Sequence, residues 1–320
     1  REDIPDYHKL ADNYALFDHF FQAMSGGSTG NALYLAAARS AQWKQVPKQY
    51  QGSLRPPFFD LPYDDKGRLI NDLPPVQGPT AIDPDKVQIA PPPKEQTYPN
   101  IGDRLNQANV SWAWYNDGWN AVKHWATKRA DGQGDGSMMV DSGYTYEPHH
   151  NPFQYYPSWF DNVRGGRMRD TEDFYADVKK GELPSVSFLK ATAENDEHPA
   201  DSAPQWGMNW VMNLLKAVGE SPLWDKTAVV ITYDEGGGLW DHVAPPRPDN
   251  YGCGTRIPAL LVSPYAKPGH VDHHVADTTS VLSLIEARFN LDPMGSRDAK
   301  AYNLMHAFDF SQSPQPPKFM

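Results

Sequence analysis

The segment AVVITYDEGGGLWDHVAPP, residues 228–246, constrains the fold of this chain more than any other. Residues 228–232 are apolar and mostly β-branched, a pattern typical of a buried strand in a largely parallel sheet. Two adjacent acids, Asp234 and Glu235, follow this strand, and three glycines come directly after them. Because ligands of open α/β sheets bind at the carboxyl ends of the strands, the segment predicts a site at this edge.

Adjacent carboxylates repel each other, and a divalent cation between them removes that repulsion. The three glycines allow the backbone to approach such a site closely. A charged turn after a core strand is the alternative, but it fits poorly with Asp241 and His242 so close behind. The sequence therefore predicts that Asp234 and Glu235 bind one divalent metal ion, whose identity the pattern leaves open.

The composition excludes several classes of protein. A formal net charge of −11 argues against nucleic acid as a partner, because phosphate backbones need a basic face. A small phosphorylated substrate needs only local positive charge and stays compatible. The single cysteine rules out an internal disulfide. No run of the sequence approaches the ~20 apolar residues of a membrane span, so we expect no integral membrane segment.

Strand-like and helix-like stretches alternate along most of the chain, which predicts an α/β sandwich. Residues 45–107 differ, because prolines punctuate a polar stretch with little periodicity. That composition favours an irregular insertion or cap packed on the core. We therefore divide the chain into a core segment at 1–44, the insertion at 45–107 and a second core segment at 108–320.

Ser28 lies in AMSGGSTGN, residues 23–31, between a glycine turn and a helix-forming stretch. A hydroxyl at a helix N-terminus lies in positive potential, which also attracts phosphate. A divalent metal beside it would make an alkoxide nucleophile available, so Ser28 is a candidate nucleophile and metal ligand. A simple N-cap is the alternative. Asn31 is a candidate for contact with a bound oxyanion, against the alternative of a surface polar residue.

Histidines in two further segments are candidates for phosphate contact and proton transfer. His149 and His150 lie in PHHNPFQYY, where imidazoles can donate to phosphate oxygens or protonate a leaving group. His198, in ENDEHPAD, follows a predicted strand, where loops carry function. The three histidines of HVDHH, residues 270–274, are interpreted as surface residues, because no acid pair lies nearby in the sequence.

A serine hydrolase is the competing enzyme class. GGSTG, residues 26–30, fits the Gly-x-Ser-x-Gly pattern of such enzymes. A catalytic triad needs only one buried carboxylate, whereas the two acids here are adjacent, as in a metal site.

Taken together, these segments resemble the bacterial phosphoesterase family that joins respiratory-burst-inhibiting acid phosphatases with phosphatidylcholine-type phospholipases C. The motifs that carry the resemblance are LADNYALFDHFFQAMSGGSTGN, IGDRLNQANVSWAWYNDGWN, HHNPFQYY, PSVSFLKATAENDEHPADS, TAVVITYDEGGGLWDHVAPP and GTRIPALLVSPYAKPGHVDHHVADTTSVLSLIEARF. The resemblance implies an alkaline-phosphatase-like, three-layer α/β sandwich with a mostly parallel central sheet and a metal-bound serine or threonine nucleophile.

By position, the resemblance implies that Ser28 is the nucleophile and that Asn31 contacts the substrate. It implies that Asp234 and Glu235 bind the metal. It also implies that three histidines line the phosphate pocket: His149, His150 and His198.

Within this family we favour a periplasmic or secreted acid phosphatase that hydrolyses small phosphomonoesters through a phosphoseryl intermediate. A phospholipase C acting on phospholipid phosphodiesters is the first alternative. A serine hydrolase or a catalytically silent binding module is the second. Relatives begin with a strand that ends in a Glu-Asn pair. The sequence from Arg1 onward does not contain this strand, so we expect a separate N-terminal polypeptide to complete the sheet.

Overall fold

The structure is a computed structural model, and it describes residues 2–52, 62–75, 77–79, 96–130, 146–199 and 201–319. Residues 53–61, 76 and 80–95 of the predicted insertion lie outside these ranges. In chain order the elements are α1 (Pro5–Asn13), β1 (Ala15–Phe17), β2 (Phe20–Phe21), α2 (Ser28–Ala37), α3 (Ile101–Gln107), β3 (Trp112–Asn116), α4 (Trp119–Ala130), α5 (Trp159–Arg164), β4 (Met168–Arg169), α6 (Thr171–Lys180), β5 (Val186–Lys190), α7 (Pro204–Gly219), β6 (Val229–Thr232), β7 (Ala259–Val262), β8 (His270–Asp272), β9 (Ala276–Asp277) and α8 (Thr278–Phe289).

Parallel pairing dominates the sheets of the described residues. One sheet has the strand order β6-β7-β1-β8, a second has the order β4-β3-β5, and β2 pairs with β9. Every pairing is parallel except those of β7, which runs antiparallel to both β1 and β6. The mostly parallel α/β class predicted from the sequence is therefore confirmed.

Alternate residues of β3 pack against helices on opposite faces of its sheet, because successive side chains of a strand point to opposite sides. Trp112 and Trp114 belong to a core cluster with residues of α3, α4 and α5. Ala113 and Tyr115 belong to a second cluster with residues of α6 and α7. Helices thus cover both faces, which is the three-layer arrangement. None of the helices in the described ranges is both long and apolar enough to span a lipid bilayer.

The strand β6 differs from its prediction. The sequence indicated a buried strand in a parallel sheet, but all residues of Val229–Thr232 are half-buried and the strand runs antiparallel to β7. Among the described residues, β6 is one of the two edge strands of its sheet. A strand with a partner on one side only keeps more of its surface in contact with solvent. The acid pair nevertheless follows its end, as the sequence predicted.

The described parts of the predicted insertion pack against the core. Leu69 and Leu73 belong to one apolar cluster with Leu33 of α2. The last seven residues of the insertion form the regular helix α3, which begins at a capping box made by Asn100 and Asp103. The boundaries of the insertion stay a prediction.

Candidate functional site

The loop before α2 presents Ser28 as the first residue of that helix. Asn31 shapes this loop: its Oδ1 accepts a hydrogen bond from Met24 N at 3.0 Å, and its Nδ2 donates to the carbonyls of Gly26 and Gly27 at 3.2 and 3.1 Å. The Asn31 side chain is fully buried. Its observed bonds therefore organise the loop, and its contact with substrate stays a prediction.

Asp72 lies against the same helix start, although sequence analysis did not select it. The backbone N–H of Thr29 donates to Asp72 Oδ1 at 2.8 Å. A Cβ built on Gly27 would lie 2.8 Å from each carboxylate oxygen of Asp72. Gly27 therefore permits a close approach that a larger residue would block, and the carboxylate lies where the helix dipole favours negative charge.

Asp234 follows β6 by two residues, and the Ser28 hydroxyl lies close enough to it to favour its ionised form. Lys190 Nζ, at the end of β5, lies 3.5 Å from Asp234 Oδ1. Burial opposes ionisation of this carboxyl, but Lys190, His150 and the Ser28 hydroxyl outweigh burial and hold the pKa of Asp234 well below its usual range. Asp234 is therefore a carboxylate at physiological pH.

The neighbouring acid behaves in the opposite way. Burial raises the pKa of Glu235, and the negative charges of Asp234 and Asp72 raise it further. His198 Nε2 lies 3.4 Å from Glu235 Oε1. Three carboxyl groups thus meet beside the Ser28 hydroxyl.

The imidazole of His150 lies near the carboxylate of Asp234, and the His149 ring lies beside it. The ring centroids of His149 and His150 are 4.2 Å apart. Burial, followed by the positive charges of Lys190 and His149, lowers the pKa of His150 well below its ordinary value, so its ring is neutral at pH 7. The Nδ1 of His150 is buried and has no hydrogen-bond partner among the described residues. An unpaired buried polar atom of this kind is suited to form a hydrogen bond with a bound ligand.

The structure therefore brings six of the seven predicted site residues together, and Asn31 supports the loop beneath them. The six are Ser28, His149, His150, His198, Asp234 and Glu235. Lys190 and Asp72 are additional members. Lys190 ends a strand that the sequence predicted, so its position at the sheet edge was a usable signal, whereas Asp72 lies in the proline-rich stretch and had none.

A buried glutamine joins the two halves of the site. The Nε2 of Gln22, one residue after β2, donates to the carbonyls of Met24 and Gly26 at 2.7 and 3.3 Å. Its Oε1 accepts from Gly236 N at 3.0 Å and from the Thr255 hydroxyl at 3.1 Å. Gln22 thereby connects the loop that presents Ser28 with the loop that carries the acid pair.

His273 and His274 are exposed and His270 is half-buried, in line with the surface positions expected for them, and two of the three lie within hydrogen-bond distance of an acid. His273 Nδ1 lies 2.7 Å from Asp18 Oδ2, and His274 Nδ1 lies 2.7 Å from Asp272 Oδ1. Parallel pairing of β1 with β8 brings Asp18 there from a distant part of the sequence.

The chain is similar to curated phospholipases C. It is 36% identical over 228 residues to non-hemolytic phospholipase C of Burkholderia pseudomallei. This alignment covers 61% of this chain and 32% of that protein. It is 27% identical over 347 residues to phospholipase C B of Mycobacterium tuberculosis, covering 99% of this chain and 57% of that protein. The chain thus spans between 32% and 57% of the length of these two relatives.

Solved structures give weaker similarities. A protein in the alkaline phosphatase superfamily from Vibrio parahaemolyticus has a TM-score of 0.45 at 14% identity, covering 93% of this chain and 64% of that one. Murine ectonucleotide pyrophosphatase/phosphodiesterase 5 has a TM-score of 0.47 at 12% identity, covering 96% and 95%. These TM-scores are too low to carry an argument about function.

None of these similarities supports the separate N-terminal polypeptide expected from the sequence.

The model of the Phosphoesterase family matches residues 1–292. Because that match includes both the Ser28 loop and the acid pair, the resemblance found in the sequence is confirmed, and the chain belongs to the Phosphoesterase family.

Proposed function

We propose that this chain is a phosphoric ester hydrolase that acts on phospholipid phosphodiesters as a phospholipase C, with Ser28 as its nucleophile. The observation that carries the proposal is the Ser28 hydroxyl at the start of α2, close to the Asp234 carboxylate, which Lys190 Nζ approaches to 3.5 Å. Relatives named phospholipase C support the diester substrate. This is the alternative of the sequence analysis, and it replaces the acid phosphatase that we favoured there.

The reaction has two displacements at phosphorus. Ser28 Oγ attacks phosphorus while its hydroxyl proton passes to solvent, and the bond between phosphorus and the diacylglycerol oxygen breaks. That oxygen takes up a proton and leaves as diacylglycerol, while the phosphorylated headgroup stays on Ser28. Water then attacks phosphorus, which releases the headgroup phosphate and restores the hydroxyl.

The residues around Ser28 suit the charges of this reaction. The positive end of the α2 dipole and the ammonium of Lys190 attract the phosphate oxygens. The neutral ring of His150 has a buried, unpaired Nδ1 that can bond a phosphate oxygen. His198, half-exposed and next to Glu235, is the candidate proton donor to the leaving oxygen.

The oxygen-rich part of the site fits the divalent cation predicted from the sequence. Asp234, Glu235 and Ser28 would hold it. Burial and then carboxylate crowding raise the pKa of Glu235, and a cation would relieve the crowding. When bound, such an ion supplies Lewis-acid stabilisation and lowers the pKa of the serine hydroxyl.

Two exposed apolar residues favour a lipid over a small monoester. Leu239 and Trp240, just after the acid pair, are 68% and 84% exposed. Large apolar side chains at such exposure are unfavourable in water and favourable at a membrane interface. We therefore assign Leu239 and Trp240 to contact with the lipid surface that presents the substrate.

The test compares three esters: phosphatidylcholine in vesicles, a soluble short-chain phosphatidylcholine and p-nitrophenyl phosphate, each with and without EDTA. We expect release of diacylglycerol and phosphocholine to be the main activity and to fall with EDTA. Ser28→Ala should lower it at least ~10³-fold. Ser25→Ala, an exposed serine in the same loop, is the matched control and should stay active.

Each competing function predicts a different result. Preferential hydrolysis of p-nitrophenyl phosphate would restore the acid phosphatase. Hydrolysis of p-nitrophenyl acetate that Ser28→Ala abolishes would indicate a serine hydrolase. A folded protein inactive on all of these esters, with and without added divalent metals, would indicate a binding module.

The lipid contact has its own test. Loss of one buried apolar side chain costs roughly 1.5–3 kcal/mol, so Trp240→Ser should lower turnover on vesicles by about tenfold or more. Turnover of the soluble short-chain substrate should not change. An equal fall on both substrates would contradict a membrane role for Trp240.

A secreted or periplasmic location, expected from the family resemblance, is part of the same proposal. Fractionation of cells that express the full-length protein tests it. Recovery in the cytoplasm alone would contradict it.

A further inference from the structure

We propose that Asp18, His19 and His273 form a second divalent metal site, separate from the Ser28 site and suited to Zn²⁺. In the part of the chain that the structure describes, each of these three side chains offers one ligand atom, and these atoms all lie within 4.8 Å of one another. This proposal does not depend on the substrate of the enzyme.

The two imidazoles approach the carboxylate from both sides. His19 Nδ1 lies 2.8 Å from Asp18 Oδ1, and His273 Nδ1 lies 2.7 Å from Asp18 Oδ2. Zinc binds nitrogen and oxygen ligands at about 2.0–2.2 Å, so small side-chain rotations would let one ion contact all three residues. His273 is the most exposed of the three, which leaves an open coordination position to water.

The backbone holds both ligand-bearing loops in place. Asp18 and His19 connect β1 to β2, and His273 lies between β8 and β9. On one side Asp18 N donates to Asp272 O at 3.3 Å, and on the other Ala276 N donates to His19 O at 3.0 Å. Because parallel strand pairs flank both loops, the three ligands start from positions fixed by the sheets, as a metal site requires.

The nearest cation does not oppose metal binding. Arg256 donates to the backbone oxygen of Asp18 at 3.2 Å, but its guanidinium is already paired with Asp241, at 2.8 Å to Oδ2 and 3.0 Å to Oδ1. The second carboxylate of the region, Asp272, is engaged by His274 and by the Tyr302 hydroxyl. Asp272 therefore adds negative charge without competing for the same ion.

The ligand types select the ion. Two imidazoles and one carboxylate suit Zn²⁺ or Co²⁺, whereas Ca²⁺ and Mg²⁺ prefer oxygen ligands alone. A metal there would join the β1–β2 loop to the β8–β9 loop. We therefore expect it to stabilise the folded chain without taking part in the reaction at Ser28.

The test measures Zn²⁺ bound per chain by equilibrium dialysis in a parent variant that carries Asp234→Asn and Glu235→Gln, which disables the acid pair. We expect one tightly bound ion, and a higher melting temperature with Zn²⁺ than without. Adding His19→Gln and His273→Gln should abolish both effects. Adding His270→Gln and His274→Gln instead is the matched control, from the same histidine motif, and should keep both.

Footprinting of the wild-type protein covers the case in which a variant fails to fold. Cu²⁺ with ascorbate oxidises histidines that bind the metal, so His19 and His273 should be oxidised first and Zn²⁺ should protect them. Equal zinc binding with and without His19 and His273, or oxidation no faster there than at His270, would overturn the site.

Discussion

Replacement of Gln22 by methionine tests whether the two halves of the site must be held in register. Methionine has nearly the same volume and makes none of the four hydrogen bonds described above. Gln22 is buried at 5% exposure, so water does not replace its contacts fully. The variant therefore removes the connection between the Ser28 loop and the Gly236 loop with little change in packing.

The magnitude follows from those bonds. At about 0.5–1.5 kcal/mol for each net hydrogen bond, loss of the four bonds in Gln22→Met should lower the free energy of unfolding by about 2–6 kcal/mol. A displacement of about 1 Å between nucleophile and acid pair costs on the order of 10²-fold in rate. We expect kcat on the short-chain phosphodiester to fall by about that factor, with a smaller change in KM.

The control is Gln312→Met in the C-terminal segment. The Nε2 of Gln312 donates to the backbone oxygens of Pro264 and Ala266 at 3.3 and 3.1 Å, so this variant also loses side-chain bonds to backbone. It should lower the free energy of unfolding by about 1–3 kcal/mol and leave kcat unchanged. Urea unfolding and steady-state kinetics measure both quantities. If Gln22→Met loses stability but keeps kcat within twofold, as Gln312→Met should, Gln22 does not position the site.

Two further predictions concern charge. Lys190→Met should lower kcat/KM by about 10²–10³-fold, because it removes the cation beside Asp234 and the phosphate. The control, Lys180→Met on the exposed face of α6, should leave kcat/KM unchanged. Equal kinetics of the two variants would exclude a role for Lys190. Burial and the adjacent Asp298 raise the pKa of Glu286 to about 8 from 4.5. The folded chain therefore holds a proton there that the unfolded chain releases, and stability should fall as pH rises from about 4.5 through about 8. Glu286→Gln should make this pH-dependent loss of unfolding free energy smaller by on the order of 1–3 kcal/mol. If denaturant unfolding gives the same dependence of stability on pH for the wild type and the variant, the prediction is contradicted.

Short-range sequence patterns predicted both halves of the site. The glycine turn before a helix-forming stretch identified Ser28, which the structure has at the start of α2. The strand followed by two acids identified Asp234 and Glu235. These features depend on neighbours in the chain, so the sequence carries them directly.

Contacts between distant segments were not predictable in the same way. Asp72 meets Thr29 across 43 residues, and Gln22 meets Gly236 across 214. His273 meets Asp18 across 255 residues. No local pattern encodes such pairs, because strand order and loop packing decide them. The antiparallel edge position of β6 was missed for the same reason, since the apolar run predicts a strand but not its partner.

The stereochemical course at phosphorus tests the central claim, a covalent intermediate on Ser28, most directly. Each in-line displacement inverts the configuration at phosphorus. Hydrolysis of a short-chain phosphodiester made chiral with sulfur and oxygen isotopes should therefore proceed with overall retention, since Ser28 and then water attack in turn. Overall inversion would mean that water attacks the substrate directly, and it would contradict Ser28 as the nucleophile.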